Sequence, residues 1–268
     1  MDATANGFEV SVEPIGGLAG ELACESASQL TGEPTGSSAG EPTGDVLVEA
    51  RGVSKAFGDN VILRDVDIML RRGESLALVG PSGCGKSTLL SMLGLLLEST
   101  SGTIAVSSEP VDFKDRERIA QLRRTMFGFV FQHTQLISSL DVWGNVTVPA
   151  RFAGSSLRDG SDVNERAAAL LSRFGLDDRI DYYPHQLSVG QKRRVVLARA
   201  LLMEPAVLIA DEPTNDLDER NAEGVISALL SHVEAGGALI YTTHDRNLPN
   251  QAFQVLRIED GRLYDGLS

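Results

Sequence analysis

The chain has 268 residues, a hydrophobic share of 42% and a formal net charge of −13. That length holds one large α/β domain or two small ones, and the hydrophobic share is ordinary for a soluble globular protein. The best apolar run, Leu89 to Leu97, is broken by Ser91 and Gly94 and falls well short of the about 20 residues a membrane-spanning helix needs, and no basic segment followed by an apolar one opens the chain as a signal peptide would.

The charge is unevenly spread. Residues 1–45 hold eight carboxylates (Asp2, Glu9, Glu13, Glu21, Glu25, Glu33, Glu41, Asp45) and no Lys or Arg, which leaves −5 for the rest. The same segment repeats Gly-Glu-Pro-Thr-Gly at Gly32–Gly36 and Gly40–Gly44. Low hydrophobicity and one-sided charge predict a disordered tail over 1–45, read as a solvated extension ahead of a docking arm. A net acidic body argues against nucleic acid as the main partner. Cys24 and Cys84 lie in unlike segments and form no disulfide framework, so the cytosol is the expected compartment.

From Val46 onward, short apolar runs alternate with helical patterns. Strands are predicted at Val46–Val48, Val66–Leu70, Ser75–Val79, Gly128–Phe131, Val207–Ala210, Ala238–Tyr241 and Val255–Ile258. Helices are predicted at Lys86–Leu97, Asn164–Phe174, Gln191–Leu202 and Arg220–Val233. Fully apolar strands between helices indicate a sheet covered on both faces, hence an α/β fold. The stretch from about Thr134 to Gln186 lacks strong strands and is expected to be a mostly helical insertion.

Gly80-Pro81-Ser82-Gly83-Cys84-Gly85-Lys86-Ser87-Thr88 fits the phosphate-binding pattern G-x-x-x-x-G-K-[ST] and lies between a predicted strand and a predicted helix. Its glycines would let successive backbone N–H groups cradle phosphates at a helix N-terminus. Lys86 would reach the β/γ-phosphates and the Ser87 hydroxyl a Mg²⁺ ion. Cys84 inside the loop is read as a small tolerated side chain ahead of a reactive thiol.

Val207–Ala210 runs into Asp211-Glu212. Ligands collect at the carboxyl ends of parallel strands, so Asp211 is expected near the metal and Glu212 near the attacking water. Gln132 and His244 each end an apolar run and are candidates for touching metal, water or γ-phosphate. Leu187-Ser188-Val189-Gly190-Gln191 opens a predicted helix and would offer a second set of phosphate donors.

In this order the motifs resemble the nucleotide-binding subunit of an ATP-binding cassette (ABC) transporter, over about Val46 to Ser268. The resemblance implies a P-loop NTPase core, RecA-like with an N-terminal antiparallel β subdomain, and a helical subdomain inserted at roughly 134–202. It makes Phe57 the residue that stacks on adenine, Gly80–Thr88 the Walker A loop and Gln132 the Q-loop glutamine that contacts metal and communicates with a permease. It makes Ser188, Gly190 and Gln191 signature contacts to nucleotide, Asp211 and Glu212 Walker B, Asp218 the end of the D-loop and His244 the switch histidine. The implied cofactors are ATP and Mg²⁺. The implied partners are a second copy, paired head to tail with ATP between Walker A and the opposite signature, and a separate membrane permease that would hold the chain at the inner face of the membrane.

Three positions depart from the family pattern. Val189 replaces a signature glycine, Phe57 replaces the commoner tyrosine, and Asn215-Asp216 stands where one transporter group has Gly-Asn. Val189 puts a β-branched side chain where backbone must approach phosphate, so slow turnover is expected of an otherwise intact enzyme. Thr214–Asp218 and the ending Glu259-Asp260-Gly261-Arg262-Leu263 resemble the lipoprotein-release and macrolide-export ATPases. The stretch from Phe131-Gln132-His133 to Trp143-Gly144-Asn145-Val146 is similar to methionine importers, the alternative within transport. Outside it stand a non-transport ABC ATPase and a cell-division regulator. Trp143 fits a permease contact and a place in the helical core equally well.

Overall fold

The computed structural model describes residues 44–153, 162–243 and 252–266. His244 and the predicted tail up to residue 43 therefore lie outside the described residues.

β1 (Val46–Phe57) and β2 (Asn60–Arg71) form an antiparallel hairpin closed by Gly58-Asp59. Across β1 lie β4 (Ser101–Val106) and β5 (Glu109–Pro110), giving an antiparallel sheet of order β2-β1-β4-β5. The strand predicted at Val66–Leu70 is the end of β2, and it is half-buried rather than fully apolar in setting. Val66, Ile68 and Leu70 face the core while Asp67 and Met69 are exposed, the period-2 alternation of a one-sided sheet.

The second sheet holds the other predicted strands, which are buried except the last, where Gln254, Arg257 and Glu259 are exposed. β3 (Ser75–Val79), β6 (Phe127–Val130), β7 (Val207–Asp211), β8 (Ala238–Thr242) and β9 (Gln254–Glu259) run parallel in the order β9-β3-β8-β7-β6. β10 (Arg262–Asp265) folds back antiparallel on β9 through Asp260-Gly261, both at positive φ (48° and 75°), as a two-residue hairpin turn of the Asp-Gly kind requires.

Alternation along each parallel strand divides the core in two. Val207 and Ile209 of β7 join α1 (Lys86–Leu93), α2 (Arg116–Met126) and the antiparallel sheet on one face. Leu208 and Ala210 join α3 (Val142–Ala153), α4 (Val163–Arg173), α5 (Val189–Leu201) and α6 (Glu219–Glu234) on the other. Between β6 and β7 the described α-helices are α3, α4 and α5.

Two helices differ from expectation. α1 stops at Leu93 rather than Leu97, because Gly94 caps it and Leu95 turns the chain at φ 58°. α5 begins at Val189, two residues before the predicted start, because Ser188 caps it. α2 was not predicted at all.

His232 near the end of α6 lies against Gly237, its Nε2 buried and without a partner among the described residues. Burial first, and the nearby Arg166 guanidinium second, hold its pKa below the ordinary 6.5, against a backbone contact at Ala238 that raises it. Folding therefore favours the neutral ring. The associated stability is present above pH 6.5 and is lost as pH falls through the lower folded-state value. Thermal melts at about pH 7.5 and about pH 5 should show a steeper acid loss in the parent chain than in a His232→Leu variant, and equal slopes would refute this.

Candidate functional site

The level at which the parallel strands end places the site. Leu78 of β3 lies beside Thr242 of β8, Thr242 beside Asp211 of β7, and Ala210 of β7 beside Val130 of β6. The chain leaving β3, β6 and β7 therefore emerges at one edge of the sheet, which brings Gly80–Thr88, Gln132 and Asp211-Glu212 together at its carboxyl end.

Gly80, Gly83 and Gly85 take φ of 150°, 79° and 108°, so the loop turns through a region that favours glycine at each of them. A Cβ at Gly80 would stand 2.6 Å from the Ile258 carbonyl oxygen, and one at Gly85 would stand 3.0 Å from the side chains of Ile62 and Leu63. The loop is thus seated on β9 and β2, with the β1–β2 hairpin that carries Phe57 against it. Lys86 is buried, and its ammonium donates to the carbonyls of Gly80 (2.8 Å) and Pro81 (3.0 Å). Pro81, Ser82, Gly83 and the Ser87 side chain are exposed along the rim, while Thr88 is half-buried. Cys84 is half-buried and packs against the apolar core, in keeping with a small packed side chain. Phe57 is 53% exposed, and the Lys55 ammonium lies 5.0 Å from its ring centre, held there by the Glu98 carbonyl at 2.7 Å.

Asp211 and Glu212 are tied by a residue that sequence reasoning missed. The fully buried Thr242 hydroxyl donates to Asp211 Oδ1 at 2.6 Å and accepts the Glu212 backbone N–H at 2.9 Å. Glu212 sits at φ 46°, so its backbone turns sharply away from the strand. A hydroxyl at the end of an apolar strand is the one sequence signal that marks Thr242.

Gln132 is fixed through its backbone, its carbonyl accepting from Arg193 Nη2 at 2.8 Å. The segment after it is pinned by the buried Asn145, which accepts from the Ile137 N–H (2.7 Å) and donates to the carbonyls of Ile137, Leu140 and Asp141. Both were missed, since their partners lie in irregular chain.

Leu187–Gln191 builds a reciprocal helix cap. Ser188 Oγ accepts the Gln191 N–H at 3.2 Å, and Gln191 Oε1 accepts the Ser188 N–H at 2.8 Å. Gln191, expected to contact nucleotide, has its side-chain oxygen engaged in capping its own helix. The Ser188 hydroxyl proton points to no acceptor among the described residues, and Ser188 is exposed. Val189 occupies the first helical turn, 54% exposed and outside the positive-φ region. Gly190 is different: a Cβ there would stand 2.6 Å from the Asn221 Oδ1, and Asn221 is held by Asp218 through two bonds of 2.9 and 2.7 Å. No hydrogen bond among the described residues joins Ser188–Gln191 to Gly80–Thr88.

Trp143 is half-buried against the helical core. Further along α3, Pro149 and the 71%-exposed Phe152 line a groove of about 520 Å³ together with Phe127, Phe129, Phe131 and Met203. Arg123, Arg124 and Arg199 edge it.

A glycine-rich loop closing on a buried lysine, next to a strand ending in paired carboxylates, defines a P-loop nucleoside triphosphatase. Residues 63–215 match the family described as ABC transporter. A lipoprotein-releasing system ATP-binding protein, LolD 1 of Caulobacter vibrioides, is 41% identical over 222 residues, covering 81% of this chain and 94% of that protein. A macrolide export ATP-binding/permease protein, MacB of a Shewanella species, is 41% identical over 219 residues, 80% of this chain but 33% of its own length, so the chain spans about a third of that relative. The fold matches the dimeric ATP-binding cassette MJ0796 in a post-hydrolysis state bound to ADP and Pi, with a TM-score of 0.74 and 31% identity over 81% of this chain and 96% of that one. The chain belongs to the ABC transporter family and is one of its ATPase cassettes.

Proposed function

We propose that the chain is the ATP-hydrolysing subunit of an export-type transporter, acting as a head-to-tail dimer on a separate membrane permease. The convergence of Lys86, Asp211 and Glu212 at one sheet edge carries the reading, with Ser188 presented outward on α5. The two sequence relatives are export and release proteins by name, which favours that group over the importer and non-transport alternatives.

In this reading Gly80–Thr88 wraps the phosphates and Lys86 exchanges its loop carbonyls for phosphate oxygens. Phe57 offers its exposed ring face to adenine. Asp211, the Ser87 hydroxyl and the Gln132 amide are hard oxygen donors that would hold Mg²⁺, and the ion would supply charge neutralisation at the phosphates. Glu212 takes a proton from a water as its oxygen bonds to the γ-phosphorus, while the bond to the β-bridging oxygen breaks and ADP leaves. His244, following β8, belongs to the same set by its order in the sequence. Ser188 and the first N–H groups of α5 donate to the γ-phosphate on the opposite copy, and Gly190 allows the close approach. The units are the tail over 1–45 and the cassette over 46–268, with the helical insertion at roughly 134–202. The groove beside Phe152 receives a short apolar segment of the permease, which holds the chain at the cytoplasmic face of the membrane.

Glu212→Gln should lower ATP turnover by roughly a hundredfold or more and accumulate an ATP-dependent dimer in gel filtration; a variant that turns over normally would sink this role. Val189→Gly should raise turnover, because it removes the whole isopropyl side chain from the phosphate-facing cap; unchanged steady-state ATPase activity would show that Val189 is neutral. Phe152→Asp should leave the isolated chain's ATPase intact and abolish co-purification with a co-expressed permease partner. Retained co-purification would exclude the groove.

A further inference from the structure

Arg193 lies one turn into α5 and is 2% exposed, yet it carries a full positive charge. Its Nη1 donates to the Phe131 carbonyl at 2.6 Å and its Nη2 to the Gln132 carbonyl at 2.8 Å. Its Nε is buried with no partner among the described residues. Burial lowers its pKa, and the carboxylate of Asp216, on the loop leaving β7, acts in the opposite direction without a direct ion pair among the described residues. Asp216 itself stands at φ 60° in the loop that lines a polar cleft with Glu212 and Asn215.

A guanidinium withdrawn from water is strongly disfavoured unless geometry and hydrogen bonds offset the lost hydration. Here the offset comes from two charge-assisted bonds to consecutive carbonyls, a fork fitted to one backbone conformation. Apolar packing alone would be met by a neutral side chain at lower cost. The location explains the charge: one end of the link is the backbone that aims the Gln132 amide at this copy's own nucleotide, and the other is the helix whose capped start presents Ser188 to the opposite copy.

We propose that Arg193 is a positioning residue that makes the Phe131–Gln132 backbone and helix α5 move as one body, so that the state of one nucleotide site sets the aim of Ser188 at the other. The inference rests on the cassette reading above. A displacement of Gln132 when phosphate binds or leaves pulls the guanidinium, and through it the first turn of α5. Lysine at this position keeps a charge but lacks the planar fork, so it cannot hold the two consecutive carbonyls in the same fixed geometry.

The test uses the full chain carrying Arg193→Met or Arg193→Lys. In amide hydrogen exchange without nucleotide, both variants should exchange faster over residues 131–141 and 189–195 together, by roughly tenfold, with the β7 and β8 strands unchanged. In steady-state hydrolysis both should keep KM for ATP within about twofold, lose roughly tenfold in kcat, and lose the sigmoidal dependence on ATP that two linked sites give. Unchanged exchange in the two segments would overturn the link, as would a kcat loss that accompanies faster exchange throughout the sheet. If the parent chain hydrolyses no ATP, the proposed function fails, while the exchange measurement still decides whether Arg193 joins the two segments.

Discussion

The parallel register of β3, β8, β7 and β6 is the constraint on which the rest of this molecule depends. Leu78, Thr242 and Asp211 stand side by side, and the loop Gly80–Thr88, the Asp211-Glu212 pair and Gln132 all leave strands held in that register. A slip of one residue in β7 would turn Asp211 from one face to the other and break its bond to Thr242. That bond also serves Glu212, whose N–H ends on the same hydroxyl. One buried oxygen thus holds both the Asp211 carboxylate and the Glu212 backbone. The two core clusters, drawn from alternate residues of the same strands, hold the register from above and below.

What the sequence made legible was encoded locally. The loop Gly80–Thr88, the apolar run into Asp211-Glu212 and the start of α5 each carry their own signal within ten residues or so, and the structure places the first two at one edge. What it hid was encoded over distance. Arg193 meets partners 61 and 62 positions away, and Thr242 meets Asp211 at 31, so neither can be singled out by spacing. α2 escaped because only Ile119 and Leu122 among its residues are buried, too few to mark a helical stripe. The antiparallel strands escaped in part because their solvated faces interrupt the apolar runs on which the strand prediction relied.

The signature shows why a pattern mismatch has to be weighed position by position. Gly190 is confined by Asn221, which Asp218 grips, so its missing side chain answers to this chain's own packing. Val189 meets no such limit: its backbone is helical and its side chain is exposed. The departure from the family pattern therefore costs this subunit nothing in its own fold, and whatever effect it has falls on what approaches from outside.

Lys86 stands buried with its charge already shared between the carbonyls of Gly80 and Pro81. The loop is consequently a closed ring, with its positive centre serving as the pin. An arriving phosphate trades places with two carbonyl oxygens instead of having to organise a disordered strand of glycines. Little of the contact free energy is then consumed in ordering the receptor, so affinity for different nucleotides should track what each makes beyond the loop. The loop is in that sense a latch pinned by its own lysine.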